Sequence, residues 1–245
     1  MGTPSRDSDP LEAAGAYGLF AAFELDRSRT VDASAVSADD VEAVLKDRNG
    51  TEPVLADTYL TQGLTPDVDY LVRLHARDLA TAQEVLREFR TTPIGRCSEL
   101  VDAFVGAIRD PVYLPQAPDL DAIETAISFE GAEPPEYAIV IPVRKTAEWW
   151  MLPPDDRLAR MREHIEVSLP YLDRIRRQLY HASGLSEYEF VTYFETNDLE
   201  AFVDLYRDLE SIPEYRYVDE GPVVIGRPES PSTVVEKLTP LLAPP

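Results

Sequence analysis

Cysteine is almost missing from this 245-residue chain: Cys97 stands alone, which excludes an intrachain disulfide and any cysteine-rich metal site. Long apolar runs are missing too. No stretch approaches the roughly 18 residues that a membrane-crossing helix needs, so none is expected. The N-terminal segment MGTPSRDSDPLEAAG has no basic start leading into an apolar stretch, so secretion is not expected and the cytoplasm is the expected compartment. Positive charge is thin: 23 Lys and Arg face 45 Asp and Glu, for a net charge of −22. Nucleic acid and anionic membrane surfaces are therefore excluded as expected partners. A field of that sign also repels small anions, although salt screens it over about 8 Å at physiological ionic strength. An acidic surface of this kind suits a salty cytoplasm, in which case the melting temperature rises from low to molar salt.

What the chain does have is an internal repeat. Asp78-Leu79 recurs as Asp198-Leu199, Pro93 as Pro213 and Tyr17 as Tyr137, each pair 120 positions apart. Tyr59 with Gly63-Leu64 recurs as Tyr180 with Gly184-Leu185 at 121, a slip of one residue. Each copy reads as strand, helix, strand, strand, helix, strand. In the second copy Tyr137–Lys145 alternates like a strand, Pro153-Pro154-Asp155 opens a helix, and Arg174–Ser183 and Glu187–Thr196 are paired strands around Gly184. A second helix follows Asn197-Asp198, with Leu199, Phe202, Tyr206 and Leu209 along one face. Pro222–Gly226 reads as a closing strand and Ser230–Leu242 as a terminal helix with Ser230 as its cap. This order describes an α+β chain of two tandem ferredoxin-like repeats, each an antiparallel sheet with helices outside. The repeats are expected at residues 1–125 and 126–245, the first including a Pro-rich connector over 95–130 with a possible helix at Cys97–Ile108.

Chemistry concentrates in KTAEWWMLPPDDRLARMREHIEVSLPYLDRIRRQLYHASG, from Lys145 to Gly184. An imidazole and a guanidinium converging with two indoles and no cysteine ligand suit a haem pocket that handles a small anion. His164 sits at the edge of its helix's apolar stripe, beside Met161 and Ile165. That position fits a half-buried side chain with a hydrogen bond or an axial iron ligand. Strand alternation puts Arg177 on one side with Ile175, Leu179 and His181. A guanidinium there is costly unless it pairs with a buried carboxylate or faces an anion in a pocket. His181 is expected to support the sheet through a hydrogen bond, and His75 to be structural or solvent-facing. Trp149 and Trp150 fit ordinary packing or the walls of a flat cofactor. The first copy lacks this set: Arg29-Thr30 stands near the place of the two tryptophans, roughly Asp57 opposite Arg177, and no His opposite His164. The first copy is therefore expected to be structural and the second to be the working one.

KTAEWW, MREH, RRQLYHASGL, EFVTYFETNDLEAF and the Glu214 that follows resemble the chlorite dismutase family of haem proteins. The resemblance implies a dimeric α/β barrel of two ferredoxin-like repeats and haem b as cofactor. It implies His164 as proximal iron ligand, Arg177 as distal arginine, and Trp149 and Trp150 as pocket tryptophans. Glu214 is then the carboxylate on the far nitrogen of His164, and Lys145 a lysine near that network or a propionate. The implied activity is that of a chlorite O₂-lyase, an oxidoreductase giving chloride and dioxygen by way of hypochlorite held in the distal pocket. A homo-oligomer is implied, with a pentamer favoured. A second branch of the family decarboxylates coproheme, using a tyrosine four residues before the pocket lysine and, in Gram-positive forms, a distal glutamine. Ile141 and Arg177 stand at those positions here, so the resemblance favours chlorite. A coproheme decarboxylase, a peroxidase-like haem protein and a non-catalytic haem binder remain as alternatives.

Overall fold

A computed structural model describes residues 9–29, 36–46, 53–109 and 133–242. In chain order the first repeat runs β1 (Tyr17–Leu25), α1 (Ala38–Leu45), β2 (Val54–Leu60), β3 (Tyr70–Ala76), α2 (Leu79–Phe89), the short α3 (Pro93–Arg96) and β4 (Ser98–Ile108). The second runs β5 (Tyr137–Lys145), the short α4 (Ala147–Met151), α5 (Pro154–Ser168), β6 (Ile175–His181), β7 (Phe190–Thr196), α6 (Leu199–Glu210) and β8 (Val218–Glu220). A ninth strand, β9 (Val224–Glu229), and α7 (Pro231–Leu238) end the described chain.

Both repeats are antiparallel sheets with the interleaved strand order of a ferredoxin-like unit. The first has the order β4-β1-β3-β2, and the second β6-β7-β5-β8. The sequence spacing has a direct structural counterpart. Tyr17 and Tyr137 open β1 and β5, and Asp78 and Asp198 are the N-caps of α2 and α6. The Asp198 carboxylate accepts the Ala201 N–H at 2.9 Å, which satisfies one of the donors a helix start leaves open. Gly63 and Gly184 both have a left-handed backbone, at φ 80° and 79°, in the turns that join β2 to β3 and β6 to β7. A side chain would be strained there, and this explains why glycine recurs at that point of the repeat.

The first unit's core lies between its sheet and α1, α2 and α7. Phe23 stacks on Tyr70 with ring centroids 5.0 Å apart, and Phe89 closes on both. His75 lies in β3 and is fully buried, so it is structural and not solvent-facing. Arg73, on the same strand and 1% exposed, pairs with Asp57 at 2.7 Å and Glu12 at 3.2 Å.

Two sequence expectations are corrected. Cys97–Ile108 is not helical: Ser98–Ile108 is an eleven-residue strand paired along β1. Phe104, Gly106 and Ile108 face one way with period two, and the pairing partner decides what a short run rich in Val, Ala and Ile becomes. The closing segment also belongs elsewhere. Residues 224–242 group with 9–108: β9 pairs with β2 through Thr58↔Glu229, and Val234, Val235 and Leu238 join the first unit's core. Ser230 caps α7, its hydroxyl accepting the Thr233 N–H at 3.1 Å. Pro111, Pro115 and Pro118 of the connector lie outside the described residues.

Candidate active site

The second unit, within residues 133–223, holds a cavity of about 280 Å³ between its sheet and its two long helices. The sheet supplies one wall through paired positions: Arg177↔Phe194, Leu179↔Thr192 and His181↔Phe190 all line the cavity. Helix α5 supplies Met161, His164, Ile165 and Ser168, spaced three, four and seven apart, so one face of that helix looks in. Leu205 and Leu209 of α6 complete an apolar enclosure.

Four charged or ring groups meet at one end. The Lys145 ammonium contacts Glu214, which is 2% exposed, and lies over the Trp149 ring at 4.6 Å. The other oxygen of Glu214 lies 3.4 Å from Nδ1 of His164. A carboxylate only accepts, so Nδ1 carries the proton and Nε2 keeps a free lone pair. Nε2 has no hydrogen-bond partner among the described residues. Burial, then the positive charges of Arg177 and Lys145, hold the His164 pKa down to about 3. The ring is 29% exposed and lines the cavity, so that open part is the part a ligand would cover. Burial likewise pulls Lys145 down to about 8, while the neighbouring Glu189 carboxylate opposes the shift.

Arg177 differs from Arg73. Burial lowers its pKa, and among the described residues no carboxylate pairs with it. Of the two readings open at the sequence level, a buried ion pair belongs to Arg73 in the first unit, and an unpaired guanidinium facing a pocket belongs to Arg177. Such a group retains its full demand for an anion. Among the described residues no three His, Cys, Asp or Glu side chains cluster. A metal ion taken up through Nε2 of His164 would need its remaining ligands from a cofactor, and the largely apolar lining suits one.

A model of the chlorite dismutase family matches residues 34–228. The chain belongs to that family. It is 36% identical over 246 residues to a chlorite dismutase from Ideonella dechloratans, covering 98% of this chain and 85% of that one. It is 28% identical over 234 residues to a coproheme decarboxylase from Mycolicibacterium smegmatis, covering 95% and 98%. The structure of a chlorite dismutase from Candidatus Nitrospira defluvii in complex with imidazole superposes with a TM-score of 0.81 at 34% identity, covering 92% of this chain and 96% of that one. The fold shared with the family is therefore the α+β, ferredoxin-like one expected.

All six residues singled out in the sequence, Lys145, Trp149, Trp150, His164, Arg177 and Glu214, line this one cavity. Trp149 is 4% exposed and packs against Tyr217, whereas Trp150 is 45% exposed. His181 does not take the role expected of it. Among the described residues its ring makes no hydrogen bond, and it sits edge-on to Phe190 at 5.5 Å, on the cavity wall. Two features escaped the sequence reading. Glu189 accepts the Trp150 indole N–H and the Lys145 backbone N–H, each at 2.9 Å. Tyr206 donates to Glu220 at 3.0 Å at the cavity rim, where burial and that carboxylate push the phenol pKa up. Neither has a sequence signal, since each joins residues of different elements.

Among the described residues no helix is long and apolar enough to cross a membrane.

Proposed function

We propose that this chain is a haem b enzyme that converts chlorite to chloride and dioxygen. The observation that carries the reading is the unpaired, half-buried Arg177 guanidinium in the same cavity as a neutral imidazole backed by a carboxylate. His164 presents the Nε2 lone pair as the protein's ligand to iron, and the iron porphyrin supplies the oxygen-transfer chemistry when bound. Glu214 on Nδ1 fixes the tautomer and makes the imidazole a stronger donor. Lys145 neutralises Glu214, so the carboxylate is tolerated in a dry site.

Arg177 would bind the chlorite anion in the pocket, and its fixed positive charge would keep the hypochlorite confined there while the iron porphyrin, when bound, supplies the oxygen transfer that ends in chloride and dioxygen. Phe190, Phe194 and Leu179 keep water from that anion. The protein's overall charge of −22 opposes chlorite at long range, so capture relies on this local cation, within a Debye length of the pocket.

The coproheme decarboxylase among the relatives marks the second reading. Against it, Ile141, four residues before Lys145, is 1% exposed and does not line the cavity, so no phenol stands at that point. Oxygen release from chlorite by the purified, haem-loaded protein decides between them. Rapid and sustained oxygen evolution supports chlorite decomposition; conversion of coproheme with peroxide and no oxygen from chlorite overturns it.

A further inference from the structure

We propose that Glu189 is a positioning residue that fixes Trp150 as a cavity wall, and that retention of haem depends on this hold. The inference rests on the haem reading above and adds a residue outside the pocket. Trp150 is 45% exposed, so packing alone does little to select its side-chain orientation, whereas Trp149 beside it is 4% exposed and held by its surroundings. What holds Trp150 is polar. Its Nε1–H donates to Oε1 of Glu189 at 2.9 Å, and the Arg157 guanidinium lies 5.7 Å from the ring centre on the same residue. Nη1 of Arg157 also donates to the Trp150 carbonyl at 3.1 Å.

Glu189 can act as a fixed point because the sheet sets its backbone. Its N–H donates to the Val143 carbonyl at 3.0 Å, and its own carbonyl accepts from Ala182 N–H at 2.7 Å. Its second carboxylate oxygen accepts the N–H of Lys145, the last residue of β5, at 2.9 Å. Trp150 and Lys145, both lining residues, are thus tied to one carboxylate that does not itself line the cavity. Both oxygens are in use as acceptors. A glutamine offers one acceptor and sets an NH₂ against the other N–H, so it can keep only one of the two bonds.

The chain's two tryptophans make the test selective. In protein labelled with 5-fluorotryptophan, the two ¹⁹F lines are assigned with Trp150→Phe. Glu189→Ala is expected to move the Trp150 line and enlarge its H₂O/D₂O shift while the Trp149 line stays; Glu189→Gln falls between. Haem transfer to apomyoglobin is expected to run about tenfold faster in Glu189→Ala, the worth of one charge-assisted hydrogen bond partly open to water. In the Trp150→Phe background, which has no indole N–H, the same substitution is expected to change the rate less than about twofold, since the carboxylate no longer has a ring to hold. An unmoved Trp150 line overturns the proposal. So does an equal acceleration in both backgrounds, which would make Glu189 a cap for the end of β5 and nothing more. Should the protein take up no haem, the functional reading fails, and the fluorine spectrum still decides whether Glu189 holds the indole.

Discussion

Replacing Glu214 by glutamine keeps its shape and removes its charge, and the consequence can be worked from the burial of its partner. The Lys145 side chain is 10% exposed and Glu214 2%, so the pair is cut off from solvent. Stripping one charge from a buried pair costs on the order of 3–5 kcal/mol. Loss of the lysine's proton sets a ceiling: bringing its pKa from 10.5 to 7 amounts to about 5 kcal/mol at 1.36 kcal/mol per unit. At pH 7 the cofactor-free variant should therefore be about 3–5 kcal/mol less stable. The pH dependence identifies the cause. In the variant the folded chain has released the Lys145 proton while the unfolded chain keeps it up to the ordinary lysine value. The unfolded state then binds more protons, and stability rises with pH by about 1.4 kcal/mol per unit. The wild-type ammonium, with a pKa of about 8, follows only above that value. The gap between the two proteins should narrow by about 1 kcal/mol from pH 7 to pH 8 and by about 1.4 kcal/mol in all by pH 9, where it levels off. Urea unfolding followed by circular dichroism at pH 7, 8 and 9 measures it. A gap under about 1 kcal/mol at pH 7 would refute the reasoning, since no buried pair breaks for so little. A large gap that stays flat with pH would place the effect on His164 and not on the lysine.

Four further outcomes are expected. Arg177→Met should raise the stability of the cofactor-free protein by about 1 kcal/mol, because an unpaired half-buried cation is replaced by an apolar chain of similar reach, and should cut oxygen release from chlorite by at least about 100-fold while haem still binds; melting curves and an oxygen electrode read both. His164→Gln should abolish the Soret band of the reconstituted protein. In the cofactor-free state it should also flatten the acid limb: the native imidazole, held down to about 3, leaves the unfolded state binding more protons below 6.5, so the wild type loses about 1.4 kcal/mol per pH unit there and about 2 kcal/mol by pH 5, and the variant does not. Asp198→Ala, which removes the cap of α6, should cost about 1 kcal/mol in urea unfolding. Raising salt from low to molar concentration should raise the melting temperature, as screening relieves the repulsion behind a net charge of −22; a flat or falling curve contradicts it.

The duplication was legible because the features that repeat are ones backbone geometry demands at fixed points: helix caps at Asp78 and Asp198, left-handed glycines at Gly63 and Gly184. That Trp149, Trp150, His164 and Arg177 share one cavity was legible because they fall within 30 positions of one another in a segment that matches a family pattern. Strand pairing of Cys97–Ile108 was not, since a run of that composition has no period strong enough to separate helix from strand until β1 lies alongside. Nor was the role of Glu189. It stands among other acidic residues in SEYEF, and only the fold brings the ends of β5 and α4 to it. Periodicity places a side chain on a face, but it does not say which polar atom that face will meet.

The placement of β9 and α7 in the first unit bears on how the protein is made. A ribosome delivers residues 9–108 early, yet the outer edge of β2 and the flank of α1 stay bare until Val224–Glu229 and Pro231–Leu238 have emerged. An open strand edge invites pairing with other chains. The half synthesised first is thus the half completed last, and a message cut short after the second unit would leave the first with its hydrophobic cover missing.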